Sequence, residues 1–294
     1  MGILKKRSFR IGGPAPRPLP LRPERKIMAL WKKGPPVVSI LCPTYNHANF
    51  IEDAIAGFLG QETTFPFEVI IRDDCSTDGT AEIVREYEAK YPQIIRGIYE
   101  TENQFHRQRP LTRLTPLVQG QFIAICEGDD YWISPTKLER QLRTLRMRDD
   151  CVMSHHQALV VENNRVVSLR KLPRKMRRDF TADELQRGTW ALTLSIFYRN
   201  VNIPRHPKEH KFINGDMYLF ARLGSFGGAA YEEDFVGAVY RRQGSSIWSS
   251  LDEVDRRSAQ ATSYYYMASQ YSSEGNSELA SYWLAKAVSR MQLP

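Results

Sequence analysis

Acidic residues gather in two short stretches of this chain, Asp73-Asp74-Cys75-Ser76-Thr77-Asp78-Gly79-Thr80 and Glu127-Gly128-Asp129-Asp130. A third polar stretch, Pro43-Thr44-Tyr45-Asn46, precedes both. Each has an ordinary structural use, since Asp74 and Ser76 suit a turn and Asp78 can cap the helix that follows it. Coincidence is harder for the set. If Asp73, Asp74, Asp129 and Asp130 face one crevice, their charges repel and raise one another's pKa unless a cation sits among them. Hard divalent ions such as magnesium or manganese bind through one or two protein acids plus a substrate diphosphate. Chemistry at a diphosphate is therefore the first expectation.

The elements around these stretches have α/β grammar, with short β-branched runs alternating with helical spacing. Residues 37–42 read as a buried strand, and 48–59 as a helix with Ile51, Ile55, Phe58 and Leu59 on one face. Residues 67–71 form the next strand, and a helix from the Asp78 cap to about Lys90 turns Ile83, Val84 and Tyr87 inward. Residues 94–99 and 122–126 supply two more strands across a polar connection. Such strands pair in parallel through right-handed crossovers, and ligands bind beyond their carboxyl ends. All three polar stretches stand at those ends.

In this order and at these positions, the three motifs resemble the inverting family 2 glycosyltransferases of the GT-A fold, over about residues 37–247. The resemblance implies a mostly parallel central sheet flanked by helices, and transfer of a sugar from a nucleoside diphosphate sugar, with uridine diphosphate the expected carrier. It implies that Pro43, Thr44 and Tyr45 line the base, that Asp73 and Asp74 hold the nucleoside with Asp74 accepting from the uracil imide, that Asp129 approaches the ribose or the metal, and that Asp130 coordinates a manganese or magnesium ion. Displacing the diphosphate builds charge that the cation stabilises without proton transfer. The acceptor hydroxyl needs a base on the opposite face of the sugar. Asp216, in the first turn of the apolar helical pattern of residues 212–220, is the expected base, where the helix dipole also favours an acid.

Two departures from the family pattern stand out. Gly215 precedes Asp216 where a Glu-Asp pair is common, and Gln243 stands where many relatives have histidine. Glutamine is a poor metal ligand, which leaves Arg241 or Arg242 to pair with the diphosphate or to point into solvent. Trp190 either stacks on a sugar or packs at a strand edge. Lipid-linked glycans, capsular or lipopolysaccharide chains and protein side chains remain open as acceptors. A catalytically silent protein on the same fold, either nucleotide-sugar-binding or a scaffold, is the alternative supported by Gln243. A more distant one is a zinc protease, from the H-x-x-E-H spacing of His206, Glu209 and His210, although Pro204 and Pro207 oppose the helix it requires. His155 and His156 point to opposite faces of a strand and cannot chelate together.

The composition agrees with a folded enzyme. The 294 residues are 42% hydrophobic and 25% charged, which excludes disorder throughout and allows a substantial core. The four cysteines form no C-x-x-C pair, which fits a reducing compartment. No apolar run approaches a membrane span or a signal-peptide core, so a cytoplasmic protein is expected. The formal charge of +8 sits at one end: residues 1–36 hold ten Lys or Arg, one acid and seven of the 17 prolines. These 36 residues read as a flexible basic arm, either a solubilising tail or a contact for anionic lipid at the inner membrane face. Nucleic acid is not an expected partner, because the arm lacks aromatics for stacking and the body has no basic excess.

Residues 37–250 are expected to form the transferase domain and 251–294 a C-terminal helical hairpin. Within the domain, Ser134-Pro135 starts a helix with Leu138, Leu142 and Leu145 inward, and with Lys137, Arg140, Arg143, Arg146 and Arg148 on a solvated face. Residues 151–160 and 165–169 read as a hairpin around Glu162-Asn163-Asn164. Thr181-Ala182-Asp183-Glu184 is a capping box, and residues 190–198 read as a strand. The last helices, about 252–272 and 277–290, place Tyr264, Tyr265, Tyr266 and Met267 against Leu279, Tyr282, Trp283, Leu284 and Ala287.

Overall fold

The computed structural model describes residues 9–105, 107–212, 215–243 and 252–291. Residues 1–8 of the expected arm, Ile213 and Asn214 before Gly215, and residues 244–251 after Gln243 lie outside the described residues. Among the described residues the apolar runs form nine strands: β1 (Val38–Thr44), β2 (Phe67–Asp73), β3 (Ile95–Tyr99), β4 (Phe122–Ile125), β5 (Tyr131–Trp132), β6 (Cys151–Glu162), β7 (Arg165–Ser168), β8 (Phe197–Arg199) and β9 (Gly228–Arg241). They join one sheet in the order β3-β2-β1-β4-β8-β6-β9-β5, with β7 paired to β6. β1 to β4 are mutually parallel, whereas β8 runs antiparallel to β4 and to β6. β2 is buried along its whole length and β1 nearly so, as expected for a sheet covered on both faces.

Helices α1 (Glu24–Ile27), α2 (Ile51–Leu59), α3 (Thr80–Lys90), α4 (Pro110–Leu114), α5 (Lys137–Met147), α6 (Ala182–Gln186), α7 (Gly215–Leu223), α8 (Glu253–Ser273) and α9 (Ser277–Met291) complete the fold. The N-cap of α3 is Gly79, at φ +95°, rather than Asp78. The Asp78 carboxylate still accepts the first free N–H, from Thr80 at 3.0 Å, and also that of Ala48 at 3.0 Å. Thr181 and Glu184 form the expected reciprocal cap on α6. Asn163 and Asn164 both take positive φ, which matches the β6–β7 turn to the strand twist. Of the stretch read as a strand over 190–198, only β8 pairs, because Thr193–Ser195 turns as a short 3-10 helix before it.

Residues 9–36 do not behave as a free arm. Gly12 donates to Val166 O at 2.8 Å, Ala15 donates to Asn164 O at 2.9 Å, and the Tyr131 hydroxyl donates to Pro16 O at 2.7 Å. Leu19 and Ile27 are buried, each worth about 1.5–3 kcal/mol. The prolines remove helix and donors, but their carbonyls remain free to accept, so an extended chain can still dock.

Lys137, expected in solvent, is fully buried. Its Nζ donates to Gln141 Oε1 at 2.7 Å and lies 4.1 Å from the centroid of the Trp132 ring. Lys137 and Gln141 sit one position before Leu138 and Leu142, so they share the buried stripe of α5. Burial pushes the Lys137 pKa down to about 7, opposed by Cys126 and Glu232. Between that value and the ordinary lysine pKa the unfolded chain binds more protons than the folded one, so stability is expected to rise with pH across this window. Urea midpoints at about pH 7.5 and 9.5 should show the rise, and Lys137→Met should flatten it.

The last two helices pack as a hairpin onto α7. Tyr264, Met267 and Tyr271 of α8 and Leu279, Trp283 and Ala287 of α9 form one cluster with Tyr218 and Ala221, whereas Tyr265 and Leu284 face solvent. The Tyr271 hydroxyl donates to Ala221 O at 3.1 Å, and Arg222 pairs with Glu274 at 2.6 Å. No described helix is long and apolar enough to cross a membrane.

Candidate active site

The register of the parallel strands decides what meets what. Thr44, the last residue of β1, lies beside Asp73, the last of β2. The chain after β4 continues along β1, with Cys126 donating to Leu41 O and Gly128 to Pro43 O, both at 3.1 Å. A Cβ on Gly128 would lie 2.5 Å from Thr44 Oγ1, so only glycine lets the two loops approach this closely. The three polar stretches thereby share one edge of the sheet, above an open cleft of about 1790 Å³.

Pro43, Thr44, Tyr45 and Asp74 line this cleft. Asp74 Oδ1 accepts from Arg72 Nη2 at 2.6 Å and from the Gln104 N–H at 3.0 Å. Arg72 is itself buried and also bonds Glu100 at 2.9 Å, so the Asp74 carboxylate is held rigidly against the wall. Asp73, by contrast, is not part of the cleft lining. Its Oδ2 accepts from the Ser76 N–H at 2.9 Å, closing the turn in which Cys75 takes φ +65°. Asp73 thus closes the turn after β2, and its other carboxylate oxygen is buried without a hydrogen-bond partner.

The second acid cluster, Glu127, Asp129 and Asp130, lines the same cleft. Asp129 Oδ2 accepts from Gln243 Nε2 at 3.1 Å and stands 4.0 Å from His47 Nε2, while His47 Nδ1 is 3.1 Å from Thr44 Oγ1. Asp130 is almost fully buried, and its Oδ1 accepts from the Arg241 N–H at 2.7 Å. Arg241 lines the cleft and is engaged within the protein: it pairs with Asp53, donates to Asp129 O at 2.9 Å, and lies 4.3 Å from the centroid of the Tyr131 ring. Arg242 lies outside the cleft lining, 3.8 Å from Glu162. Trp190 is in the lining and partly exposed.

Glu127 and His47 are among the cleft residues that were not assigned roles from the sequence. The signal for Glu127 was present, because it begins the same strand-end motif as Asp129. Burial pushes the Glu127 pKa up to about 7, aided by the charges of Asp129 and Asp216. Burial also raises Asp130 well above the carboxylate range, with Asp129 and Glu127 adding to it. Asp216 lies in the first turn of α7 and lines the same cleft. Burial raises its pKa, and Arg109 beside it works in the other direction.

Among the described residues no group of three histidine, cysteine or acidic side chains forms a metal cage. A pair of carboxylates with an open side is nevertheless the donor set of a cation shared with a phosphate ligand. Glu127 and Asp129, which both line the cleft, fit that description, and the Glu127 pKa is raised first by burial and then by the charge of Asp129. The zinc-protease geometry is absent: residues 209–211 form a short 3-10 turn, and His206 Nδ1 accepts from the Lys208 N–H at 2.9 Å. His206 and His210 therefore do not share a helix face.

A mixed sheet with acids at the ends of its parallel strands, faced by a helix bearing a further acid, defines the GT-A class of fold. The chain belongs to glycosyl transferase family 2, whose profile matches residues 39–201. Uncharacterized protein Rv1520 of Mycobacterium tuberculosis is 34% identical over 235 residues, covering 79% of this chain. The chain spans 66% of that relative's length. Poly(ribitol-phosphate) beta-N-acetylglucosaminyltransferase TarS of Staphylococcus aureus is 29% identical over 150 residues, 50% of this chain and 24% of TarS. The crystal structure of TarS residues 1–349 in complex with UDP-GlcNAc superimposes with a TM-score of 0.60 at 18% identity, over 86% of this chain and 72% of that one. Mannosyltransferase PcManGT from Pyrobaculum calidifontis, in complex with GDP-Man and Mn2+, gives a TM-score of 0.53 at 15% identity, over 91% of this chain and 80% of that one.

Proposed function

We propose that this protein transfers a sugar, with inversion, from a uridine diphosphate sugar to a glycan hydroxyl in cell-surface or lipid-linked glycan synthesis. The observation that carries the reading is the convergence of Glu127, Asp129 and Asp216 in one cleft, with Glu127 sensing the charge of the other two. Thr44, Tyr45 and Asp74 line the nucleoside end, where the fixed Asp74 carboxylate accepts from the base imide. Asp129 and Glu127 hold a divalent cation, which supplies charge neutralisation at the leaving diphosphate. Asp130 serves instead to hold β9 against the site. Asp216 takes the proton of the acceptor hydroxyl, and Trp190 offers a face to the sugar. The resemblance to TarS, named a poly(ribitol-phosphate) beta-N-acetylglucosaminyltransferase, supports a polymeric acceptor.

Calorimetric titration with uridine, guanosine and thymidine diphosphates, with and without manganese, tests the donor half of this reading. Manganese-dependent binding that favours uridine is expected. Preference for another base would change the donor and keep the class of enzyme. Failure to bind any nucleotide would favour a silent scaffold, the alternative suggested by Gln243, whose amide is bonded to Asp129.

A further inference from the structure

Residues 165–178 contain seven of the 31 lysines and arginines of residues 37–294 and none of the 32 acids, so the rest of the body is acidic overall. A positive strip on such a body focuses its field outward and attracts anions to one place. Part of the strip is internally engaged: Arg165 donates to Gly12 O, Arg177 to Leu172 O, and Arg178 pairs with Glu184. Arg170, Arg174 and Lys175 are exposed and have no ion pair among the described residues. Phe9 packs in the same small cluster as Leu169, which brings the exposed Arg10 toward this corner.

The strip also enters the cleft. Lys171, the residue after Arg170, lines the cleft wall, with its N–H bonded to Ala158 O at 2.9 Å and its Nζ 4.0 Å from the centroid of the Tyr240 ring. Other cations of the cleft are engaged: Arg72 with Asp74 and Glu100, Arg241 with Asp53, Arg205 with Thr112 O, and Arg109 with Glu209 O. Among the described residues Lys171 has no carboxylate within ion-pair distance. Ammonium and guanidinium groups placed this way suit phosphate or carboxylate oxygens.

We propose that Lys171 and the strip form one track for an anionic acceptor glycan, a polymer bearing phosphodiester or carboxylate groups. Its reactive end enters the cleft past Lys171, and its preceding units lie across Arg170, Arg174 and Lys175. This rests on the transferase reading and names its acceptor class. A bilayer surface would meet the outer cations but not a half-buried ammonium inside the cleft, which favours a chain over a membrane.

The test is anisotropy of fluorescein-labelled inorganic polyphosphate over a salt series, with the whole chain and with variants. Arg170→Glu/Arg174→Glu/Lys175→Glu is expected to weaken binding by about tenfold or more and to lower the slope of log affinity against log salt by about two to three. Lys171→Met should lower the slope by about one. Arg143→Glu/Arg146→Glu, an exposed basic pair on α5, should change neither. The track is overturned if the α5 pair weakens binding as much as the triple change, or if the triple change has no effect. It is also overturned if the protein ignores polyphosphate yet pellets with phosphatidylglycerol vesicles. Uridine diphosphate titration of the same proteins separates the two claims: unchanged affinity in the variants shows an intact donor site, whereas a wild-type protein that binds polyphosphate but no nucleotide would fail the transferase reading alone.

Discussion

Replacing Asp216 with asparagine is expected to lower turnover by about 10² to 10⁴ while leaving uridine diphosphate affinity unchanged, the range attributed to a positioned general base. Asparagine preserves the size of the side chain and the first turn of α7, but it cannot accept a proton. Burial raises the Asp216 pKa, and Arg109 restrains the rise. A base works only when deprotonated, so activity should grow with pH through a value above the usual aspartate range. Arg109→Met should move that rise to higher pH. Single-turnover transfer with donor in excess reads both effects, and full turnover by Asp216→Asn would assign the base elsewhere.

Asp129 and Asp130 are neighbours whose substitutions should fail in different ways. Asp129→Ala is expected to remove the manganese-dependent part of nucleotide binding, a loss greater than the roughly 10- to 100-fold that follows removal of an outer-shell partner. Thermal stability should change little, because Asp129 is partly exposed. Asp130→Ala strips the acceptor from the Arg241 N–H and leaves that donor unpaired near Tyr131, at a cost of about 1–3 kcal/mol. A lower Tm with residual metal response is therefore the expected signature of Asp130. If Asp130→Ala abolished the manganese response at unchanged Tm, Asp130 would be the ligand.

The sheet and the cleft were readable because parallel strands carry their own punctuation. β1, β2 and β4 are apolar runs that stop at polar residues, and the places where they stop form the site. Side-chain commitment was not readable in the same way. Arg241 was legible as a cation near a diphosphate, but its partners Asp53 and Asp129 lie far away in sequence and are brought to it by β9. Asp73 and Asp74 look alike in the chain, yet one turns into the loop and the other lies against Arg72. Lys137 was assigned to solvent from its charge, although its spacing from Leu138 and Gln141 already placed it on the buried stripe. The proline-rich segment misled for a related reason, since periodicity does not register an extended chain that docks through its carbonyls.

The mounting of the two ends of the reaction differs. The carboxylates of Asp74 and Asp129 stand on loops that continue the central ladder, with Asp74 N–H bonded to Thr44 O and Gly128 N–H to Pro43 O, and their movement would require the sheet itself to open. Asp216 stands on a nine-residue helix whose outer face is gripped by the C-terminal hairpin through Tyr271 and Arg222. Fraying of α8 and α9 would release α7 without disturbing the nucleoside end. The fold thus contains a stiff half and a softer half, and under the proposed reading of Asp216 the rate of proton removal would follow the local opening free energy of a hairpin whose described residues do not line the cleft. Amide hydrogen exchange in α8 would then report on catalytic competence.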